Sequence, residues 1–415
     1  VLADLHAEQY ASSEGYDESG AEAYASALAT AIGFGVGKGD DDEDGGVGTI
    51  AGNFINRGAI DVTANAYSLS EANAEGSGTL NSTAGNEVYV AGTGLYFDAE
   101  YVQDNFRNEG NVTVSLNAQS VQTATAMVDD EFNGYAYASA GGFDAAPVVV
   151  EANGTGLDLF INRISGFIYN DANIQVDVAA SLTSNATADS GDYGPAVALV
   201  GGSLNSESSG IYLEIGNAGT GLEWVDDVEE GDGSFINDGL INSNAVGHVT
   251  QRADATADDG PALALSEFYG TTDYEDGDAD VSSYGVFVTN YDETAYFAGS
   301  IGNLSDVHAD SLLTVDLDAD ASVDEGDEED TSAWAGAASI PPVPMVSTSK
   351  MSLLTANSSM TPKLRPMRES NRMYGRGQCP TKALLSPTSV PISIRMKSSI
   401  WRRMRVPFCT LMRRV

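Results

Sequence analysis

Apolar and polar residues alternate along much of the chain, and the alternating stretches recur at a similar spacing. The stretch "FINRGAIDVTANA" begins at Phe54 and returns as "FINDGLINSNA" at Phe235. After its asparagine, apolar residues occupy every second position, which is the period of a β-strand with one buried face. The asparagine recurs at five positions: Asn56, Asn108, Asn170, Asn237 and Asn303. Their spacings of 52, 62, 67 and 66 residues define the repeat unit of the chain.

Each repeat unit contains three segments with the pattern of a strand. The first follows the asparagine, as in Ile60, Val62 and Ala64. The second is rich in small residues, as in "YAYASA" and "GPALAL", and the third begins with glycine, as in "GLYF" from Gly94 and "GIYLEI" from Gly210. Acidic loops such as "GDDDEDGG" separate the segments. Three segments in each unit predict coils of about 20 residues.

A segment of about 20 residues with one apolar face forms no core alone, but stacked copies bury that face continuously. We therefore predict an all-β fold for residues 1–338, a parallel β-helix (β-solenoid) of stacked coils. Alanines such as Ala64, Ala66, Ala198 and Ala264 suit a narrow interior. Asparagine tolerates the backbone of a tight corner, and its amide can form a hydrogen-bonded ladder between coils.

Two other architectures fit the sequence less well. Tandem immunoglobulin-like domains need about 100 residues and a Cys…Trp…Cys pattern, which these units do not contain. A helical period is confined to "GAEAYASALATAIGFG" from Gly20, and its glycine-rich, alternating neighbours favour a strand there as well.

Composition divides the chain near Ser339. The chain has 61 acidic and 19 basic residues and a formal net charge of -42. Five basic residues precede Trp334, whereas 14 follow it together with a single carboxylate, Glu369. Both cysteines, Cys379 and Cys409, also lie in this second part. We interpret residues 339–415 as a disordered basic tail, because prolines are frequent there and apolar periodicity is missing.

The change of composition is best explained by translation out of frame. Reading the codons of residues 345–352 one base earlier permits a glycine-led alternating segment similar to "GVFVTN". The alternative is a genuine basic tail that contacts phosphates or a membrane surface. The acidic part disfavours nucleic acid and anionic membranes as partners. No stretch reaches the roughly 18 apolar residues of a transmembrane helix, and the lack of an initiator methionine or signal peptide suggests a fragment.

The recurring "F-I-N-x-G-x-I" turns, the Ala-, Asp- and Asn-rich strands and the acidic glycine loops resemble the passenger segments of large repetitive bacterial autotransporters and related surface adhesins. The resemblance covers residues 1–338. It implies localisation at the cell surface or outside the cell, via the outer membrane of a Gram-negative bacterium. It also implies contacts with a host or environmental surface, including glycans. Barrel strands of about 10 residues are lacking in this sequence, so we expect that the translocator barrel is missing from this chain.

Acidic residues offer weak candidates for calcium binding. Asp316, Asp318 and Asp320 have the opening spacing of an EF-hand loop, but Ala321 stands where glycine is required. We favour solvated, charge-repelling loops over metal sites, and we expect no cofactor other than weakly bound calcium. The weak metal candidates are the loop aspartates Asp40, Asp41, Asp42, Asp44, Asp276, Asp278 and Asp280, with the acidic loop 324–330 beside them.

The sequence contains no recognisable catalytic constellation. The histidines lie in different units without a recurring nucleophile, and the arginines are expected to be surface counter-charges: His6, His248 and His308; Arg57, Arg107, Arg163 and Arg252. We therefore expect a non-enzymatic structural or adhesive repeat protein that makes multivalent contacts along a rod. The alternative is a β-helix carbohydrate-active enzyme, a polysaccharide lyase or hydrolase, with irregular residues concentrated in one groove.

Overall fold

The structure is a computed structural model, and it describes the following ranges of the chain: 1–37, 47–128, 134–141, 148–191, 194–218, 234–258, 260–268, 281–290, 296–297, 301–323, 333–339, 346–347 and 394–397. Within these ranges the chain is all β, with strands and no helix. Most of the predicted basic tail therefore lies outside the described residues.

The strands occur in this order: β1 Leu2–Val36, β2 Val47–Ile50, β3 Phe54–Asn56, β4 Ile60–Val102, β5 Phe106–Asn108, β6 Val112–Val128, β7 Tyr135–Ala140, β8 Val149–Ile164, β9 Ile168–Asn170, β10 Ile174–Ser190, β11 Ala196–Val200, β12 Ser203–Ala218, β13 Phe235–Asn237, β14 Ile241–Ala257, β15 Ala262–Phe268, β16 Val281–Asn290, β17 Tyr296–Phe297, β18 Ile301–Asn303, β19 Val307–Val323, β20 Ala333–Ser339, β21 Val346–Ser347 and β22 Ile394–Lys397. The ambiguous segment after Gly20 belongs to β1, so the preference for a strand over a helix is confirmed.

Equivalent strands of successive repeat units lie side by side as parallel neighbours. The first strand residue of each unit pairs with its counterpart in the next, which joins Ile60, Val112, Ile174, Ile241 and Val307 into one row. The strands form a long parallel sheet, and the short "FIN" strands form a second one, in the order β18-β13-β9-β5-β3. The repeat unit deduced from the asparagines is therefore the unit that stacks.

The prediction of coils of about 20 residues is wrong. Each strand segment pairs with the equivalent segment of the next unit, so pairing partners are one whole repeat unit apart. Strands β6, β7 and β8 belong to one unit and pair with β10, β11 and β12 of the next unit. The reason is strand length: β6 and β10 each have 17 residues and alternate from end to end, so one strand fills almost the whole predicted coil.

Large apolar side chains fill one part of the interior, which we call the wide core. It lies between the first half of the long strands, such as β10, and the third strand segment, such as β8 and β12. Phe97, Leu159, Ile174 and Leu213 are each at most 1% exposed there. Burial of such side chains stabilises a fold by about 1.5–3 kcal/mol each.

Alanine fills the other part of the interior, which we call the alanine core. The second half of β6 packs there against β7 through Ala124, Ala126, Ala136 and Ala138, all fully buried. The same side chain type lines equivalent positions of β10, β11, β14 and β15. Because alanine adds only one methyl group on each side, the two walls of a layer lie closer together here than in the wide core.

The repeating asparagine forms a continuous hydrogen-bonded ladder across five units. The side-chain Nδ2 atom of each asparagine donates to Oδ1 of the next, at 2.7, 2.8, 2.7 and 2.7 Å from Asn56 to Asn303. Asn170 also donates to the carbonyl oxygen of Ala172 at 3.0 Å, and its side chain is 1% exposed. The predicted asparagine ladder is thus confirmed. It supplies partners for buried amides that would otherwise destabilise the fold.

The glycine that opens the third strand segment is required by a close approach between layers. A Cβ atom on Gly156 would lie 2.4 Å from Cγ2 of Ile174 and 2.5 Å from the carbonyl oxygen of Gly210. Gly94 meets Val112 of the following unit in the same way, at 2.2 Å. Since Cβ contacts below about 3 Å force a shift of the backbone, glycine is the residue that permits the stacking at these positions.

Candidate functional site

The predicted calcium candidates fall in two groups. All seven loop aspartates lie outside the residues that the structure describes: Asp40, Asp41, Asp42, Asp44, Asp276, Asp278 and Asp280. The aspartates of the other candidate, Asp316, Asp318 and Asp320, lie on the outer face of β19, as the alternation of the strand predicts. Within the described ranges, no group of three or more His, Cys, Asp or Glu side chains is placed to hold a metal ion.

The outer face of the third strand segment carries a ladder of aromatic rings across four units. The ring centroids of Tyr96 and Phe160 are 5.8 Å apart, those of Phe160 and Tyr212 are 5.8 Å apart, and those of Tyr212 and Phe287 are 5.4 Å apart. These separations are typical of interacting aromatic pairs. We call the four residues the aromatic ladder. Their rings are partly accessible, and Phe287 is 38% exposed.

Three carboxylates are interleaved with the aromatic ladder. Asp158 on β8 lies in register between two ladder tyrosines, and Asp98 and Glu214 flank Phe160 on the neighbouring strands. The hydroxyl of Tyr212 donates a hydrogen bond to Glu214 at 3.2 Å. The aromatic ladder and these three carboxylates together form what we call the aromatic–acidic face. It presents flat apolar rings, hydroxyls and negative charge on a single surface.

Asp158 is the most perturbed acid of this face. Burial, together with repulsion from Glu214, raises its pKa from the ordinary 3.8 to about 7. Burial also raises the pKa of Asp98, although the hydrogen bond from Tyr96 works in the opposite direction. At neutral pH a large fraction of Asp158 therefore carries a proton and can donate a hydrogen bond.

The aromatic–acidic face was not predicted from the repeating asparagines, although the sequence contains a signal for it. Tyr96, Asp158, Tyr212 and Phe287 each stand two residues after the glycine that opens the third strand segment. Alignment of the segments on this glycine places the four side chains in one outward row. When the units are aligned on the repeating asparagine, the row is not visible, because the number of residues between that asparagine and the glycine differs from unit to unit.

An open groove of 630 Å³ lies beside β1, β4 and β7. Tyr24, Asn81, Tyr135 and Tyr137 contribute to its lining. The two tyrosines of β7 stack with centroids 6.3 Å apart, and the hydroxyl of Tyr24 donates to Glu87 at 3.0 Å. The groove combines aromatic surface with amide and hydroxyl groups, a combination that suits neutral polar ligands.

Three of the four predicted counter-charges, Arg57, Arg107 and Arg252, form ion pairs on the surface. Arg57 and Arg107 both form ion pairs with Glu109 at 3.0 Å, and Arg252 pairs with Asp254 at 2.7 Å. The guanidinium of Arg163 lies 4.8 Å from the ring centroid of Tyr101.

The structure does not bring the histidines together. His6 lies on β1 and contacts Glu8 at 2.9 Å, whereas His248 on β14 lies 3.4 Å from the hydroxyl of Thr250. His308 on β19 is paired in register with Asn242. The three histidines thus lie on three different strands.

Comparison with known proteins finds no match to any protein-family model, any curated protein or any solved structure. A bilayer-spanning helix is not found in the part of the chain that the structure describes.

Proposed function

We propose that this chain is a section of a parallel β-solenoid with one repeat unit in each coil, acting as a non-enzymatic structural and adhesive protein of the cell surface. The pairing of whole units in parallel register supports the solenoid. The outer features are spread over successive units, as the aromatic ladder is over four, which favours a repeated contact surface over one catalytic groove. Many weak contacts of similar kind add up when they lie on one rigid support.

The observation that carries the adhesive role is the aromatic–acidic face. A pyranose ring combines an apolar face of C–H groups with hydroxyls around its rim. Partly exposed rings such as Tyr212 and Phe287 offer the apolar platform, and Glu214 offers a hydrogen-bond acceptor beside it. We therefore take glycans of a host or environmental surface as the ligand class.

Binding to immobilised glycans tests this proposal. In the protein carrying Tyr212→Ala and Phe287→Ala, we expect at least tenfold weaker retention, because each truncation removes a contact worth about 1 kcal/mol or more. Tyr89→Ala is a matched control, since Tyr89 lies on the outside of β4 away from the ladder. The adhesive role is wrong if the protein binds no glycan, or if the double variant binds as well as the Tyr89→Ala protein.

The surface assignment is a separate part of the proposal. Antibodies raised against residues 1–338 should label intact cells of the source bacterium, and added protease should remove the label. Labelling that needs permeabilised cells would contradict a location at the cell surface.

The raised pKa of Asp158 favours a second candidate, a β-helix enzyme that cleaves polysaccharides. Glycoside hydrolases need one carboxylic acid that stays protonated near neutral pH and a second that is ionised. Asp158 has the raised pKa of such an acid, and Glu214 lies on the neighbouring strand as a second carboxyl group. An assay for new reducing ends on a panel of polysaccharides separates the two candidates. If the protein is the enzyme, we expect an activity that declines above about pH 7 and that Asp158→Asn abolishes. If it is the adhesin, we expect no new reducing ends.

A further inference from the structure

A row of buried polar side chains separates the wide core from the alanine core. The inward-facing positions that pair across the layers are Gln9, Ser70, Gln122, Ser184 and Gln251. We call this row the glutamine–serine column. It is polar through four buried layers, since all its members except Gln9 are at most 1% exposed. The next layer ends the column with an apolar residue, Leu317.

Each buried member of the column has a polar atom without a hydrogen-bond partner in the protein. These atoms are the hydroxyl oxygens of Ser70 and Ser184, Oε1 of Gln122 and Nε2 of Gln251. Folded proteins satisfy nearly all such buried groups, because an unpaired one destabilises the fold by about 1–3 kcal/mol. Four unpaired groups in one continuous row therefore indicate a ligand that lies along the row.

The other half of each amide is already used, and this fixes what the ligand must offer. Nε2 of Gln122 donates to the hydroxyl of Ser120 at 3.2 Å, and Oε1 of Gln251 accepts from Ser266 at 3.4 Å. Gln122 thus presents an acceptor to the column and Gln251 presents a donor, while serine hydroxyls do both. A metal cation would leave the donor Nε2 of Gln251 unpaired, and an anion would leave the acceptor Oε1 of Gln122 unpaired. A small molecule that both donates and accepts satisfies all four groups.

The alternation of glutamine and serine also reduces the side-chain volume along the column. Neighbouring layers are about 4.8 Å apart, and a serine between two glutamines occupies less of the interior than a third glutamine side chain would. Ser184 lies between Gln122 and Gln251 in this way, and Ser70 lies between Gln9 and Gln122. A site for buried water needs a volume of about one water-sized probe and two or more polar partners.

We propose that the glutamine–serine column is a binding site for a file of buried water molecules, with one water at Ser70 and one at Ser184. The first water bridges the Ser70 hydroxyl to Oε1 of Gln122, and the second bridges the Ser184 hydroxyl to Nε2 of Gln251. These waters belong to the interior of the fold and lie between an apolar core of large side chains and one of alanine. This inference does not depend on the proposed adhesive function.

Two measurements on the full chain test the water file. A crystal structure of sufficient resolution should show a water within hydrogen-bond distance of both partners at each serine. In solution, ¹⁷O magnetic relaxation dispersion counts waters that stay bound for longer than the tumbling time of the protein. We expect the count to fall by one in Ser184→Leu, which fills its position with the side chain present at Leu317.

Ser82→Ala is the matched control, because the hydroxyl of Ser82 already donates to the carbonyl oxygen of Ala72 at 2.8 Å and accepts from the backbone of Thr125 at 3.2 Å. This variant should retain the full count of long-lived waters. If Ser184→Leu does not fold, the unchanged protein still decides the question. Direct hydrogen bonds within the column, with no electron density between the partners, would overturn the proposal, and so would an unchanged water count in a folded Ser184→Leu protein.

Discussion

The wide core and the alanine core solve the same packing problem in opposite ways. Both lie between two β walls of the same layers, and both repeat from one unit to the next. In the wide core, Phe97, Leu159 and Leu213 fill the space between the walls with large side chains. In the alanine core, Ala138 and Ala198 leave the walls so close that methyl groups fill the space. The wide core is stable because large side chains fill it. The alanine core is stable because its side chains add little volume between the walls.

This difference makes the two regions sensitive to opposite substitutions. Deletion of side-chain atoms creates a cavity where the walls are far apart, because distant walls collapse only partly. Addition of atoms forces the walls apart where they are close, because a packed interior has no free space. The glutamine–serine column marks the boundary between the two regimes.

The largest effect is expected from a deletion in the wide core. Leu159→Ala should lower the free energy of unfolding by about 4 kcal/mol, through lost burial and the cavity that remains. Leu312→Ala is the control, since Leu312 is 38% exposed and should change the stability by less than about 1 kcal/mol. Urea denaturation followed by far-UV circular dichroism measures both. Equal midpoints for the two variants would show that Leu159 does not lie in a packed core.

The asparagine ladder should be the next most sensitive feature. Asn170→Ala removes the acceptor of Nδ2 of Asn108 and the donor to Oδ1 of Asn237, so one polar atom of each buried amide loses its partner in the ladder. We expect a loss of about 3 kcal/mol in the free energy of unfolding. Asn117→Ala is a matched control on the exposed face of β6 and should be almost neutral. Similar losses in the two proteins would mean that the ladder does not stabilise the stacked units.

An addition to the alanine core should give an intermediate effect. Ala198 pairs with Ala138 and Ala264 in a fully buried row, so Ala198→Val places two extra methyl groups between the walls. We expect a loss of about 2 kcal/mol despite the high strand preference of valine. Ala179→Val on the half-buried outer face of β10 carries the same change without the crowding and should be neutral or slightly stabilising. A stabilised Ala198→Val protein would contradict the close approach of the walls.

Local patterns predicted the strands and their register, but they did not predict the size of a layer. The period of two identified the buried faces, and the asparagines from Asn56 to Asn303 identified which residues stack. Both signals are visible in the sequence because each lies within a short segment of one unit. The coil length depends on where the chain bends, and the alternation continues through whole strands of 17 residues without marking a corner. Gly156 begins the third strand segment of its unit, which was predicted to be a separate coil. In the structure this glycine permits close contact with Ile174 of the following layer.

The candidate site was less predictable than the fold. Carboxylates are so frequent that Asp158 does not stand out, and its environment arises only when units with different loop lengths are stacked. The acidic loops were predicted as candidate sites because their charges are adjacent in the sequence. The aromatic–acidic face instead gathers residues from four units, and its members are adjacent only in space.

The smallest expected effect concerns Asp158, and it is a dependence of stability on pH. The carboxyl group has a pKa of about 7 in the folded protein, against an ordinary value of 3.8. Between these two pH values the folded state binds a proton that the unfolded chain does not bind. The free energy of unfolding therefore decreases as the pH rises from about 4 to about 7. Because Asp158 is partly solvated, we expect this contribution to be about 1 kcal/mol.

Urea denaturation between pH 4 and pH 8 measures this contribution when each variant is compared with the unchanged protein, and the difference includes the loss of the repulsion between Asp158 and Glu214. Asp158→Asn removes the group, so its stability relative to the unchanged protein should increase with pH across this window and level off above about pH 7. Leu312→Ala, the exposed control of the first prediction, removes no titratable group, so its difference from the unchanged protein should stay constant. Parallel pH profiles for Asp158→Asn and the unchanged protein would show that the carboxyl group titrates equally in both states. Asp158 would then not be a protonated acid at neutral pH, and the enzymatic candidate would lose its support. The adhesive role of the aromatic ladder would be unaffected.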